Sequence, residues 1–387
     1  MPIITNIEDL RQLARRKVPR AIFDYVDRGS YDEISYRANT DDLKAIRFRQ
    51  RVLIDADNRS LKTTMLGEQV AMPVAIAPTG LTGLMHGDGE MLAARAAEKA
   101  GIRFTLSTMS ICSIEDVRSA IKAPFWFQLY VFRDRGFSES VIARAREARC
   151  TALFVTVDLP LRGQRHADIK NGLEVPPKLT LRNALDIVSK PAWALSVLMG
   201  RRKSFGNIDA YLKNKGGVWA AGAWANDNFD ATLSWKDVAW ARKLWPGKLV
   251  IKGVLDAEDA KQAADLGADA IVVSNHGGRQ LDGAPSTIAA LPRVAEAVGD
   301  RIEVLFDGGV RSGQDVLKAL ALGARGCLIG RAYLYGLAAM GEAGVAKALS
   351  LIADELRVSM SLTGVREIAE VSRDILFDNV DDRRRNT

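Results

Sequence analysis

Eight short apolar runs recur from residue 73 onward, and most of the gaps between them carry a helical pattern. The runs lie at 73–78, 103–107, 125–131, 152–158, 248–253, 270–275, 302–309 and 326–330, with amphipathic stretches at 89–101, 257–268 and 312–324. Runs of this length, rich in β-branched and aromatic residues and bounded by glycine or polar residues, read as buried strands. Strands that alternate with helices pair in parallel, because a parallel neighbour needs a crossover connection. A closed (β/α)8 barrel and an open doubly wound sheet both satisfy that pattern. The C-terminal edges of the runs favour the barrel. They carry Thr79, Ser107, Gln128 with Tyr130, Thr156 with Asp158, Lys252, Ser274 with Asn275 and His276, Asp307 with Gly308 and Gly309, and Gly330 with Arg331. A barrel gathers such edges on one face, where its sites are built, whereas an open sheet strings them along a line. The expectation is therefore an α/β chain, 1–387, read as one domain: a helical and irregular N-terminal extension (1–72), a TIM barrel (73–375) and a long insertion after the fourth strand.

That insertion, about 170–232 within an excursion over 165–233, far exceeds an ordinary strand-to-helix connection. It holds the apolar stretch 193–199, then Arg201, Arg202 and Lys203, then Lys213 and Lys215, then an aromatic stretch at 216–225. Asp209 is the only acid between Lys190 and Asn226. Apolar bulk beside clustered positive charge suits an anionic membrane surface, so 190–225 is expected to touch one. Packing on the barrel or on a neighbouring subunit is the alternative. The net charge of +7 carries weight only through such clustering. No uncharged apolar run approaches the roughly 18 residues of a spanning helix, so a soluble or peripheral rather than an integral protein is expected. The first twenty residues have no apolar stretch of export-signal length. Cys112, Cys150 and Cys327 are far apart and lack CxxC spacing. A zinc site or disulfide framework is not expected, and a reducing cytoplasm is.

Candidate chemistry concentrates at the strand ends. Asp307-Gly308-Gly309-Val310-Arg311 follows the seventh run and Gly330-Arg331 the eighth. Glycines let backbone N–H groups approach an anion, arginine adds a charged fork, and these two loops are a frequent phosphate site in barrels. Two ordinary tight turns are the plainer alternative. Lys252, pointing inward, would set a cation beside a cofactor; an unpaired structural lysine there would be costly. Of the three histidines, His276 closes the sixth run, three residues before Arg279. A positioned histidine is a natural proton acceptor near neutral pH, and arginine can grip a carboxylate with two parallel hydrogen bonds. Asp158 can orient the imidazole and stabilise its charged form. His86 and His166 have no comparable company. Tyr25 and Tyr130 read equally well as core aromatics.

Together the segments 23–30 (FDYVDRGS), 127–130 (FQLY), 156–170 (TVDLPLRGQRHADIK), 233–237 (LSWKD), 274–283 (SNHGGRQLDG) and 307–313 (DGGVRSG) resemble the FMN-dependent 2-hydroxy-acid dehydrogenases and oxidases. The likeness runs over about residues 3–375. It is strongest to the respiratory, FMN-linked bacterial L-lactate dehydrogenases, through 133–137 (RDRGF), 205–212 (FGNIDAYL) and 234–240 (SWKDVAW). The resemblance implies oxidation of an L-2-hydroxy acid, with His276 taking the proton and Asp158 paired to it. Arg279 and Tyr25 would hold the carboxylate, with Arg165 as a second cation, and Tyr130 would hydrogen-bond the substrate oxygen. FMN would lie against Ala77, Pro78, Thr79, Ser107, Gln128, Thr156, Lys252 and Ser274. Its phosphate would sit on Asp307, Gly308, Gly309, Arg311, Gly330 and Arg331. Met109 stands where some members carry a bulky aromatic, and Gly80 where others carry alanine; both bear on which acid fits and how oxygen reacts. The resemblance further implies a homotetramer and a quinone acceptor, hence a place on the cytoplasmic face of the inner membrane, with no nucleic-acid partner and no metal. A soluble oxidase that makes hydrogen peroxide is the alternative. A phosphate-ligand barrel without redox chemistry is more remote, since it leaves His276, Arg279 and Lys252 without a joint purpose.

Overall fold

A computed structural model describes residues 3–55, 57–173, 180–212 and 217–377, apart from the side chains of residues 218 and 219. Lys213 and Lys215 of the basic stretch lie outside the described residues. The chain begins with helices α1 (Ile7–Lys17), α2 (Arg20–Asp27) and α3 (Ile34–Ala45). Asn6 caps α1 by accepting the Asp9 N–H, and Leu10 and Ala14 bury its inner stripe. An antiparallel hairpin of β1 (Thr63–Met65) and β2 (Glu68–Val70) follows. The barrel comprises β3 (Val74–Ile76), β4 (Arg103–Ser107), β5 (Trp126–Leu129), β6 (Ala152–Thr156), β7 (Lys248–Val254), β8 (Ala270–Val273), β9 (Glu303–Phe306) and β10 (Gly326–Ile329). These eight strands run in parallel in chain order, and β10 closes on β3 with Leu328 opposite Ala75. The TIM barrel expected from the eight runs is the observed fold.

Successive strand side chains point to opposite faces, so each strand splits between two cores. Ala75, Trp126, Phe154, Val250, Ala270, Val272, Leu305 and Leu328 fill the barrel interior. Leu106, Phe127, Leu153, Val155, Leu249, Ile251 and Phe306 face the surrounding helices. Met65, Leu66 and Val70 of the hairpin join the interior cluster and plug the N-terminal end of the barrel. This hairpin lies in the segment expected to be helical and irregular; with three residues per strand it offers too short an alternation to be read. The same parity determines the mouth. Two residues beyond an inward Trp126 comes Gln128 and then Tyr130. Phe154 leads to Thr156 and Asp158, Val250 to Lys252, Val272 to Ser274, Leu305 to Asp307, and Leu328 to Gly330.

The insertion is helical, at Leu181–Val188, Pro191–Met199, Gly206–Leu212 and Gly217–Asn228. Its later part packs on the barrel: Phe205 and Ile208 are buried, and the Asn207 carboxamide accepts the Ile114 N–H at 3.0 Å. Arg202 pairs with Asp116, and Arg201 lies 3.7 Å from the same carboxylate. Its earlier part has no fully buried residue: Trp193 packs partly on the core and donates to the Leu84 carbonyl at 2.8 Å, while Leu181, Leu185, Val188, Leu195, Leu198 and Met199 are exposed. Among the described residues no helix is long and apolar enough to cross a membrane.

Candidate active site

A cavity of about 550 Å³ opens at the C-terminal mouth of the barrel, between the strand ends, α2 and the insertion. Tyr25, Met109, Tyr130, Arg165, Lys252, His276 and Arg279 line it, with Asp307, Gly308, Gly309, Arg311, Gly330 and Arg331 along one side. Ala77, Pro78, Thr79 and Gly80 form another wall. Ser107, Gln128, Thr156, Asp158 and Ser274 stand behind this lining at the same strand ends. The residues expected to act together are therefore gathered at one mouth. His86 and His166 line no part of it: His86 bonds the Gly87 carbonyl, and His166 rests edge-on against Tyr31.

His276 Nδ1 lies 2.9 Å from Asp158 Oδ1, which makes Nδ1 the donor and leaves Nε2 to accept a proton. Burial pushes the His276 imidazole below its ordinary value, against the upward pull of Asp158, and Lys252 and Arg165 add to the downward push. The imidazole is thus neutral at pH 7. Burial also works to raise the Asp158 carboxyl, but His276 and Lys252 outweigh it and hold the group below the usual carboxylate range. His276 adopts φ 57°, a left-handed conformation rare for a residue with a side chain.

Two guanidiniums stand together on the cavity wall, Arg165 buried and Arg279 half-buried. Arg279 lies over the Tyr25 ring at 4.9 Å and donates to the Tyr25 carbonyl, and Arg165 Nε reaches the Arg279 carbonyl at 3.5 Å. Burial and the neighbouring Arg165 push Arg279 down to about 9, which still leaves it charged at neutral pH. Asp168, 3.9 Å from Arg165, is the nearby counter-ion, and burial raises its carboxyl despite both arginines. An anion entering here meets more positive than negative charge. Burial likewise raises the Tyr130 phenol, so it stays protonated and able to donate.

Lys252 Nζ bonds Ser274 Oγ and Asp307 Oδ2, each at 2.9 Å. Burial works to lower its value, but Asp307 and Asp158 outweigh that and hold it charged. Ser107 Oγ donates to Gln128 Oε1 at 2.9 Å, while Gln128 Nε2 and Thr156 Oγ1 are buried without a hydrogen-bond partner among the described residues. Buried polar groups are rarely left unpaired, so these two mark a place for a ligand's own polar edge. The Thr79 hydroxyl is engaged by Tyr333 and Thr82. Gly308 (φ 104°) and Gly309 (φ 84°) make a turn closed to side chains: a Cβ on Gly309 would fall 2.0 Å from the Asn39 carbonyl oxygen. Gly330 caps the helix Arg331–Met340, whose N-terminus suits an anion. Arg331 gives three of its N–H groups to the carbonyls of Val26, Gly277 and Arg28, at 2.7–2.9 Å, and so also pins α2 to the His276 loop.

Two further residues hold the site together and were not visible as site residues in the sequence. A Cβ on Gly253 (φ 106°) would lie 2.5 Å from Asp158 Cβ, so only glycine there lets Asp158 reach His276. Gln280 donates to the carbonyls of Asp158 at 2.8 Å and Leu161 at 2.9 Å, tying the Asp158 and His276 loops together. Gly80 and Met109 are likewise one unit, for a Cβ on Gly80 would meet Met109 Cβ at 3.1 Å.

Residues 14–378 match the FMN-dependent dehydrogenase family. An L-lactate dehydrogenase of Caulobacter vibrioides (strain NA1000 / CB15N) is 52% identical over 379 residues, covering 98% of this chain and 99% of that protein. Among solved structures, a crystal structure described as that of the monotopic membrane protein (S)-mandelate dehydrogenase superposes with a TM-score of 0.93 at 37% identity, covering 98% of this chain and 100% of the other. A mandelate oxidase solved with (S)-4-hydroxymandelic acid superposes with a TM-score of 0.83 at 36% identity, over 97% and 98% of the two chains.

Proposed function

The chain belongs to the FMN-dependent dehydrogenase family, and from that premise we propose that it oxidises L-lactate to pyruvate and passes the electrons to a membrane quinone. The observation that carries this reading is the His276–Asp158 pair, opening on a cavity whose wall holds Arg279 and Arg165.

FMN is the cofactor of this family. The mouth fits it, because the unpartnered Gln128 Nε2 and Thr156 Oγ1 await a polar ring edge and the Gly308–Gly309 turn is closed to anything bulkier than backbone. Ala77, Pro78, Thr79, Ser107, Gln128, Thr156, Lys252 and Ser274 would hold the ring system. Asp307, Gly308, Gly309, Arg311, Gly330 and Arg331 would hold the phosphate end. Bound there, FMN supplies the two-electron acceptor.

Arg279 and Tyr25 grip the substrate carboxylate, with Arg165 adding a second positive charge; the fixed fork sets which face of C2 is presented. Tyr130 donates to the substrate oxygen. His276 Nε2 takes the proton released as CH–OH becomes C=O. Asp158 then faces an imidazolium and stabilises it, as a carboxylate behind a catalytic histidine does. Lys252 keeps a positive charge where negative charge grows on reduction.

The exposed apolar face of Leu181–Val188 and Pro191–Met199 supports contact with a membrane, where a quinone would be met. A second reading is a soluble oxidase that makes hydrogen peroxide from lactate, glycolate or mandelate; the flexible Met109 on the cavity wall can adapt to acids of different size. Anaerobic mixing of the FMN-loaded protein with L-lactate, L-mandelate and glycolate distinguishes these. L-Lactate should bleach the flavin fastest, and the reduced protein should react slowly when oxygen is admitted. Absence of bleaching by all three acids would refute the function, and fast peroxide formation would favour the oxidase.

A further inference from the structure

We infer that Asn39, in the N-terminal helix α3, is a positioning residue that holds the His276 loop and the Gly308–Gly309 turn in fixed relation. Asn39 lines no part of the cavity and lies 236 residues from Asn275, the residue just before His276. Yet the two carboxamides bond head to head. Asn39 Nδ2 donates to Asn275 Oδ1 at 2.8 Å, and Asn275 Nδ2 donates to Asn39 Oδ1 at 2.9 Å. Both residues are buried, Asn39 to 2% exposure and Asn275 to 6%.

Each amide has further partners. Asn275 Oδ1 accepts the Gly278 N–H at 3.1 Å, and its Nδ2 gives a second hydrogen to the Pro285 carbonyl at 3.2 Å. The pair therefore clamps the loop on both sides of His276. Asn39 Oδ1 also accepts the Thr287 N–H at 3.1 Å, at the start of the helix Thr287–Val298. Thr287 and the Asn39 carbonyl then form the wall against the glycine turn: a Cβ on Gly308 would meet Thr287 Oγ1 at 2.4 Å, and one on Gly309 would meet the Asn39 carbonyl oxygen.

The loop needs such a clamp. His276 sits at φ 57°, and a side-chain-bearing residue keeps that conformation only when its surroundings impose it. Locally its N–H donates to Ser274 Oγ at 3.1 Å, and the Gly278 N–H closes a turn around it on the Asn275 carbonyl at 3.0 Å. Asn275 adds a constraint from inside the fold, beside those that Arg331 places on Gly277, Ser30 on Gly278 and Asp158 on the imidazole. Removing the Asn39 amide leaves one Nδ2 hydrogen of Asn275 and the Thr287 N–H without their acceptor and takes one of two donors from Asn275 Oδ1, so the loop can relax toward commoner backbone angles. A displacement of about 1 Å of a catalytic group can cost on the order of 100-fold in rate.

This inference rests on the reading of His276 as the proton acceptor. The test compares FMN-saturated wild type, Asn39→Ala, Asn275→Ala and the double variant in anaerobic flavin reduction by L-lactate across pH. Each single variant should lower the limiting rate about 10–100-fold, with a smaller change in the half-saturating lactate concentration and a displaced pH profile. The double variant should lose no more than the worse single one, because the pair acts as a unit. Wild-type rate and pH profile in Asn39→Ala, or losses that multiply in the double variant, would overturn the inference. Failure of both single variants to fold would also overturn it, making the pair a structural brace. A wild type inert toward every acid would instead refute the function itself.

Discussion

His276 shows how a common residue becomes a specific reagent. Burial lowers its proton affinity, while Asp158 fixes which nitrogen carries the proton. Because the base form is the neutral one, kcat/KM should fall as pH drops through the His276 value and stay flat above it until about pH 9, where Arg279 loses its charge. That fall should lie below the ordinary histidine value of 6.5. A pH profile of kcat/KM checks this, and an acid limb centred above 7 would contradict it. At this scale the sequence was readable where a charged or titratable type closes a strand, as with His276, Arg279 and Lys252. Residues whose work lies in a tertiary contact were hidden. Gln280 reaches Asp158 across 122 positions, and nothing in its local sequence separates it from any other loop glutamine.

Strands place these groups by parity, and loops finish the aim. The apolar runs at 125–131, 270–275 and 302–309 proved longer than the strands within them, Trp126–Leu129, Ala270–Val273 and Glu303–Phe306. The excess builds the mouth: Tyr130, Ser274 and Asp307 leave the ladder and turn toward it, while Asn275 turns away to Asn39. Gly253 shows the tolerance of this arrangement. Gly253→Ala would place a methyl 2.5 Å from Asp158 Cβ in a backbone conformation of φ 106°. We expect about 1–3 kcal/mol of lost stability from the strained conformation. We also expect slower flavin reduction, as Asp158 is pushed away from His276. Thermal unfolding and stopped-flow reduction measure the two effects, and an unchanged reduction rate would show that Asp158 has room to spare. The expected alternation of strands and helices was strong enough to read the barrel, because the pattern repeats eight times. The β1–β2 hairpin was not legible because it is too short, nor were the insertion helices Pro191–Met199 and Gly217–Asn228, which are too evenly apolar to show a period.

At the scale of the whole molecule, the barrel, the N-terminal helices and the insertion meet around one cavity, with α2 and the insertion on the side opposite the strand ends. The insertion has two faces of different character. Trp193, Phe205 and Phe229 line the cavity, while Leu185, Val188, Leu195 and Leu198 face outward. Replacing those four outward residues with glutamine should abolish sedimentation with vesicles of anionic lipid and leave flavin reduction by L-lactate unchanged. Continued sedimentation would contradict a membrane role for this face.

The account turns on one proton acceptor. The most direct measurement is anaerobic reduction of the flavin in His276→Gln by L-lactate, beside wild type. The variant should keep its FMN and remain yellow, with reduction slowed by about 10²–10⁴-fold or more. Reduction at close to the wild-type rate would contradict the assignment of His276 and the mechanism built on it.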